Sequence, residues 1–146
     1  MIALPQDAEF RTFVALSARL GADPLLVQAA GGNTSVKRDG ALWIKASGRM
    51  LRDANGGDVF VPVDLAGVRE GIDRDLADPA AGRVLGETTL RPSIETTLHA
   101  LLPHRVVLHV HSVNALAWEV RADGESQVAA RLAGLAWAWI PYRRPG

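Results

Sequence analysis

The chain has 146 residues, of which 48% are hydrophobic, so it is long enough and apolar enough to fold around a core. Its 16 basic and 16 acidic residues cancel to a formal net charge of +0, which argues against a general electrostatic attraction to nucleic acid or to an anionic membrane. The chain has no cysteine, so disulfides and thiolate zinc clusters are excluded, and any metal ligands must be His, Asp or Glu.

The N-terminal end predicts a helix and no targeting segment. Residues 1–5 lack the basic and apolar regions of a secretory signal, and no segment of the chain is apolar over the length of a membrane span. We therefore expect a cytoplasmic protein. Apolar residues then recur at helical spacing between Asp7, which can cap a helix, and Leu20, after which Gly21 can end it.

The next segment predicts loops and a β-hairpin. Residues 25–30 are apolar and favour a short strand or a turn, and residues 31–35 (Gly-Gly-Asn-Thr-Ser) favour a loop. Two strand-like arms, 36–37 and 42–45, flank an Arg-Asp-Gly sequence at 38–40 that is typical of a hairpin turn.

The rest of the chain mixes strands and helices irregularly. In chain order, the patterns predict a strand over 58–63, a helix from Asp64 to about Leu76, a surface loop over 78–87, a helix from Pro92 to about Leu102, a strand over 106–111, helices over 114–120 and 125–132, a strand over 136–140 and a loop over 141–146. This mixture, with a hairpin near the start, predicts an α/β fold whose sheet is largely antiparallel.

Two histidines stand one residue apart at the end of an apolar, β-branched run. Because side chains alternate along a strand, His109 and His111 should point to one side while Val106, Leu108 and Val110 face a core. Two imidazoles roughly 7 Å apart can grip one divalent ion. The alternative is a half-buried histidine satisfied by a backbone carbonyl, and the pattern alone leaves both interpretations open.

Three short segments carry groups that can bind an anion. Residues 31–35 and 46–49 (Ala-Ser-Gly-Arg) combine glycines with small donors, which suits a phosphate but is also found in ordinary turns. In the third segment, Pro92 would place Ser93 and Glu95 in the first turn of a helix, where free N–H groups favour negative charge. The alternative is that Glu95 only complements the helix dipole.

The other two histidines are expected to have minor roles. His99 follows Glu95 by one helical turn, so it can hydrogen-bond along the helix, and we expect it to support the structure rather than to bind a ligand. His104 follows Pro103 in a turn and is expected to be exposed.

The order of these motifs resembles the class II aldolase/adducin family. The motifs are Gly-Asn-Thr-Ser, Ser-Gly, Pro-Ser-x-Glu-Thr-x-x-His and His-x-His, and the resemblance runs from about Asp7 to the end. It implies a three-layer α/β/α fold with a mainly antiparallel central sheet. It also implies a zinc-dependent aldolase-type lyase or epimerase that acts on a sugar phosphate by enediolate stabilisation. Family members assemble as tetramers, so a homo-oligomer is implied.

The resemblance also implies roles for particular residues. Glu95 matches the catalytic carboxylate, and His109 and His111 match two zinc ligands, to which Glu95 can add a third. Several members have a second serine where this chain has Ile94. The positions that match phosphate-binding residues of the family are Gly32, Asn33, Ser47, Gly48 and Ser93.

One departure from the family concerns its third zinc-binding histidine, which lies downstream in a His-Gly segment. This chain has no histidine after His111, so we expect a single class II aldolase/adducin-like domain over 1–146 that lacks its C-terminal part. The alternative function is a catalytically inactive, adducin-like or truncated member that serves as an interaction module. Neither interpretation involves nucleic acid or a membrane as a partner.

Overall fold

A computed structural model describes residues 3–142 of the chain. These residues separate into two compact units, which divide between His111 and Ser112. Within residues 3–142, no helix is both long and apolar enough to cross a membrane.

A four-stranded sheet forms the centre of the first unit. Its strands are β1 (Asn33–Arg38), β2 (Ala41–Lys45), β3 (Phe60–Asp64) and β4 (Val106–His109). They lie in the order β3-β2-β1-β4, and each neighbouring pair is antiparallel. The predicted hairpin between β1 and β2 is confirmed, and it turns through Asp39 and Gly40, whose φ angles of 49° and 77° are positive.

Helices cover both faces of this sheet, which confirms the three-layer α/β/α architecture. On one face, Phe10 of the helix α1 (Ala8–Ala22) packs against Trp43, with ring centroids 5.2 Å apart. A 3₁₀ helix, Leu51–Asp53, lies against α1 on the same face. On the other face, the strand residues Leu42 and Ile44 share a buried cluster with side chains of two further helices, α2 (Leu65–Asp73) and α3 (Thr96–Leu101).

The second unit contains the two helices α4 (Val113–Glu119) and α5 (Gly124–Arg131). Both are confirmed, and the Ser112 hydroxyl caps α4 by accepting from the backbone N–H of Ala115. The predicted strand over 136–140 is wrong, because these residues form no strand or helix. Most of the predicted loop over 141–146 lies outside the described residues.

The predicted end of the first helix is wrong by two residues. Asp7 does cap α1, since its side chain accepts from the backbone N–H of Phe10 at 3.0 Å. The helix, however, continues through Gly21 to Ala22. A Cβ atom at Gly21 would lie only 2.2 Å from the backbone nitrogen of Arg52. This glycine therefore permits close packing against the 3₁₀ helix and does not end α1.

The predicted helix at Pro92 is also wrong in its start. Pro92 instead forms an isolated antiparallel bridge with Ala46, and the backbone N–H of Ser93 donates to the carbonyl of Lys45 at 3.2 Å. These bonds hold the segment extended beyond the end of β2, so α3 begins only at Thr96. Ser93 and Glu95 thus precede the helix and do not lie in its first turn.

Smaller differences affect other boundaries. The predicted loop over 31–35 ends early, because β1 already begins at Asn33. The predicted helix from Asp64 to about Leu76 begins and ends one to three residues inside those limits, at Leu65–Asp73, and Asp64 occupies its N-cap position without a side-chain hydrogen bond. Residues 25–30 form turns, as one of the two expectations held.

The expected burial pattern of the histidine strand holds for Val110, which packs against a core cluster, and is wrong for Val106 and Leu108. Val106 and Leu108 are 41% and 45% exposed, whereas Val107 is buried. The register explains this, because Val107 is paired with Ser35 on the face that α3 covers. β4 is an edge strand, and its opposite face is left partly open.

The close approach at Gly21 predicts that Gly21→Ala destabilises the protein. Intrinsic helix propensity alone would favour alanine by about 1 kcal/mol. Here the added methyl group would meet the backbone of Leu51 and Arg52, so we expect a net loss of about 2 kcal/mol in the free energy of unfolding, measured with urea. Ala15→Gly, at an exposed position of α1, is the matched control and should lose about 1 kcal/mol. Stabilisation by Gly21→Ala would contradict the packing.

Candidate functional site

Asn33, the first residue of β1, connects the sheet to the segment before α3. Its Nδ2 donates to Ser93 Oγ at 2.6 Å and also to Glu95 Oε2. Ser93 Oγ in turn accepts from the backbone N–H of Glu95 at 3.2 Å. Asn33 and Ser93 are both buried, so these bonds are shielded from competing water. They fix the position of the Glu95 carboxylate.

The Glu95 carboxylate also lies against His109. Its Oε1 is 2.8 Å from His109 Nδ1, although the ring nitrogen lacks the alignment of a regular hydrogen bond. The sheet register accounts for the contact, because His109 is the pairing partner of Asn33 across β1 and β4. The nearby imidazole is the main cause that lowers the pKa of Glu95 to about 2, and the carboxylate raises the pKa of His109.

His99 is a buried residue of α3 that lies next to Glu95 and His109. Its Nδ1 is 2.7 Å from the hydroxyl of Ser35, the next residue of β1 that faces α3. Burial lowers the pKa of His99 to about 4, so its ring is neutral at physiological pH. Its second ring nitrogen, Nε2, has no hydrogen-bond partner within residues 3–142.

The three side chains together form a candidate cation site. Glu95, His99 and His109 each offer one ligand atom, and these atoms all lie within 4.8 Å of one another. Imidazole nitrogens and a carboxylate oxygen are ligands that zinc accepts. His99 Nε2 and His109 Nδ1 are buried atoms without a hydrogen-bond partner in the described part of the chain. The donor set therefore fits a divalent ion.

This cluster differs in one member from the predicted metal ligands Glu95, His109 and His111. It brings the first two together with His99, which was expected to support the structure rather than to bind a ligand. His111 lies just beyond the end of β4, and its ring centroid is 5.0 Å from that of His109. His99 and His111 both lie close to His109, which makes each a candidate third ligand.

A cavity of about 220 Å³ opens beside the carboxylate. Glu95 and His111 both line it. Its walls also contain the whole set of residues predicted to bind phosphate, namely Gly32, Asn33, Ser47, Gly48 and Ser93. Gly32 and Gly48 have φ angles of 64° and 74°, which side-chain-bearing residues rarely adopt. The two glycine loops, residues 31–32 and 47–48, thus border the same cavity.

Two further residues line the cavity but were not predicted to bind a ligand. Lys45 is only 2% exposed, and its Nζ donates to the carbonyls of Ala30 and Arg49, both at 2.8 Å. The signal in the sequence was a lysine directly after the apolar residues of β2. Ile94 is 92% exposed and also lines the cavity.

The chain is similar to known proteins over nearly its whole length. Residues 11–146 match the family described as the Class II Aldolase and Adducin N-terminal domain. The chain is 32% identical over 158 residues to a protein of Bacillus subtilis (strain 168) named uncharacterized oxidoreductase YuxG. That match covers 98% of this chain and 22% of the relative, so the chain spans about a fifth of the relative's length.

A solved structure has the same fold. It is described as the N-terminal class II aldolase domain of a conserved protein from Thermoplasma acidophilum. The TM-score is 0.73 at 27% sequence identity, and the match covers 97% of this chain and 73% of the other. The layered antiparallel architecture is therefore shared with that domain.

Proposed function

The chain belongs to the class II aldolase and adducin family, and we propose that it is a zinc-dependent aldolase-type lyase or epimerase of a sugar phosphate. The observation that carries the proposal is the Glu95–His109 contact beside a cavity lined by small polar loops. A carboxylate for proton transfer, ligands for a cation and donors for an anion are what such a reaction requires. Family resemblance extends the proposal to a cytoplasmic homo-oligomer.

The metal-binding part of the proposal rests on three side chains. Glu95 and His109 would hold the ion, and either His111 or His99 would supply a third ligand. When bound, the ion supplies Lewis-acid chemistry, which stabilises negative charge on substrate oxygens as a carbon–carbon bond breaks. When Nδ1 of the neutral His99 ring donates to the hydroxyl of Ser35, Nε2 carries a free lone pair.

The cavity loops would position the substrate. The hydroxyls of Ser47 and Ser93 and the backbone beside Gly32 and Gly48 would bind the phosphate, because they line one cavity from two sides. Fixing the phosphate holds the reacting carbon in place and removes much of the entropic cost of the reaction.

Glu95 is the residue we assign to proton transfer. Its low pKa means that it is a carboxylate, the basic form, at neutral pH. Asn33 holds one carboxylate oxygen and Ser93 orders the adjoining backbone, so the base is oriented before substrate arrives. Exclusion of water by a bound substrate would raise its pKa and make it a stronger base.

A non-catalytic interaction module is the second candidate. The second unit exposes several large apolar side chains, among them Val120, Leu135, Ile140 and Tyr142. Exposed apolar surface of this kind is typical of proteins that associate with other chains. The same surface is compatible with a homo-oligomeric enzyme, so metal content discriminates the two candidates.

We expect the purified chain to retain zinc near one ion per chain after mild dialysis. The double variant His109→Ala, His111→Ala should lose it, because at least one ligand is removed and loss of ligands weakens affinity steeply. His104→Ala, an exposed histidine outside the cluster, is the control and should keep its zinc. Atomic emission spectroscopy gives the ratio. An unaltered chain that holds no zinc would favour the interaction module.

We also expect Glu95→Gln, assayed with zinc in excess to offset the weaker ligand, to abolish proton exchange at the substrate carbon. The amide retains the shape and the hydrogen-bonding capacity of the side chain but cannot accept the proton. Exchange of the hydroxymethyl protons of dihydroxyacetone phosphate with deuterated water, followed by NMR, measures the step directly. Exchange at the unaltered rate would remove Glu95 from this role.

A further inference from the structure

The outer edge of β3 is blocked by the chain itself. Pro62 has no N–H to offer a further strand, and its carbonyl accepts from the backbone N–H of Leu85 at 2.9 Å. The backbone N–H of Asp64 donates to the carbonyl of Arg83 at 2.8 Å. A proline and a covering segment are two of the devices by which proteins keep an edge strand from pairing with another chain.

The outer edge of β4, at the other side of the sheet, has no such protection. Within residues 3–142, β1 is the only strand that pairs with β4. The N–H of Lys37 donates to the carbonyl of Arg105 at 2.8 Å, so these two residues form a hydrogen-bonded pair of the antiparallel ladder. Because such pairs alternate with non-hydrogen-bonded pairs, the backbone groups of Val106 and Leu108 point away from β1. They have no partner in the described part of the chain.

The side chains at this open edge are apolar and partly exposed. Val106 and Leu108 are 41% and 45% exposed. They pair with Val36 and Thr34, which contact α1, so both point to the face of the sheet that carries α1. Neither position holds a lysine or a proline, the residues that commonly block an edge. The edge is therefore a surface to which another strand can add.

We propose that β4 pairs with β4 of a second copy of this chain, in the antiparallel direction and centred on Val107. In this register Val106 of each copy lies opposite Leu108 of the other, and the outward backbone groups of both residues form hydrogen bonds. The two four-stranded sheets join into one continuous sheet. The inference deepens the homo-oligomer part of the proposed function and does not depend on the zinc chemistry, which metal content and proton exchange test separately.

A second copy fits this edge because the edge is complementary to itself. Each exposed Val106 packs against an exposed Leu108, since side chains directly opposite one another in such a pair lie about 5 Å apart. The charges do not oppose the pairing. Arg105, directly before β4, comes opposite His109 of the other copy, which lies against the Glu95 carboxylate. An arginine of each copy thus comes near a carboxylate of the other.

The junction is short, so we expect weak association. β4 has four residues, whereas a stable interface buries about 800 Å² on each partner. We expect a dissociation constant of roughly 10 to 100 μM, in the range of weak transient complexes. Sedimentation equilibrium of the unaltered chain over a concentration series that spans this range measures it.

Two substitutions at Leu108 test whether this edge forms the dimer. Leu108→Pro removes an outward N–H and no bond to β1, so we expect a folded monomer at every concentration. Leu108→Lys keeps the test decisive if the proline variant fails to fold, and it should weaken the dimer at least about tenfold. Leu25→Lys, at an exposed leucine in a turn, is the matched control and should change the dissociation constant less than about twofold.

A cysteine cross-link tests the register. The chain has no cysteine, so an introduced one gives an unambiguous result. Val107 would face Val107 of the second copy in a non-hydrogen-bonded pair, with Cα atoms about 4.5 Å apart, a separation that a disulfide can span. Val107→Cys should therefore form a disulfide-linked dimer on mild oxidation, and Leu25→Cys should not.

Three results would contradict the pairing of β4 with itself. An unaltered chain that stays monomeric at every concentration would overturn the proposal and assign the edge to a different partner. A dimer that a folded Leu108 variant leaves at full strength would place the interface elsewhere. A dimer in which Val107→Cys forms no cross-link would exclude the proposed register. Each of these results leaves the zinc-dependent reaction standing.

Discussion

The contact between the Glu95 carboxylate and the His109 imidazole is the interaction on which the candidate site depends. Both side chains are partly buried, and the two atoms lie 2.8 Å apart. The sheet register fixes the contact, because Asn33 pairs with His109 across the strands and donates to the same carboxylate. A slip of one residue in that register would turn the side chain of His109 to the opposite face and separate it from Glu95.

The fold also brings the other side chains of the candidate site close to this contact. The extended segment at Pro92 continues the β2 edge through its bridge to Ala46, and this pairing carries Ser93 and Glu95 to Asn33. The same end of β2 places Lys45 between the two glycine loops. A carboxylate, imidazoles and a buried ammonium thus lie close together at one end of the sheet. A metal ion and an anion can be bound there side by side.

Local sequence signals predicted the parts of this structure that depend on neighbouring residues. The cap at Asp7, the hairpin turn at Asp39 and the loops that line the cavity all follow from side-chain or backbone preferences over a few residues. The errors arose where distant segments decide the outcome. Pro92 pairs with a strand rather than starting a helix. Gly21 lies inside a helix, where the lack of a side chain lets another backbone pack closely. The buried positions of His99 and Lys45 follow from tertiary packing, which periodicity does not reveal.

The most direct measurement is an NMR titration of the metal-free chain that follows the Glu95 carboxyl and the His109 ring, assigned with Glu95→Gln and His109→Gln. The account predicts a pKa of about 2 for Glu95 and a pKa for His109 above its ordinary 6.5. The stabilisation by this pair should then be present between the ordinary values of 4.5 and 6.5. It should disappear as the pH falls through the pKa of Glu95 or rises through that of His109. Ordinary pKa values for both groups would contradict the account, because the carboxylate and the imidazole would then not meet.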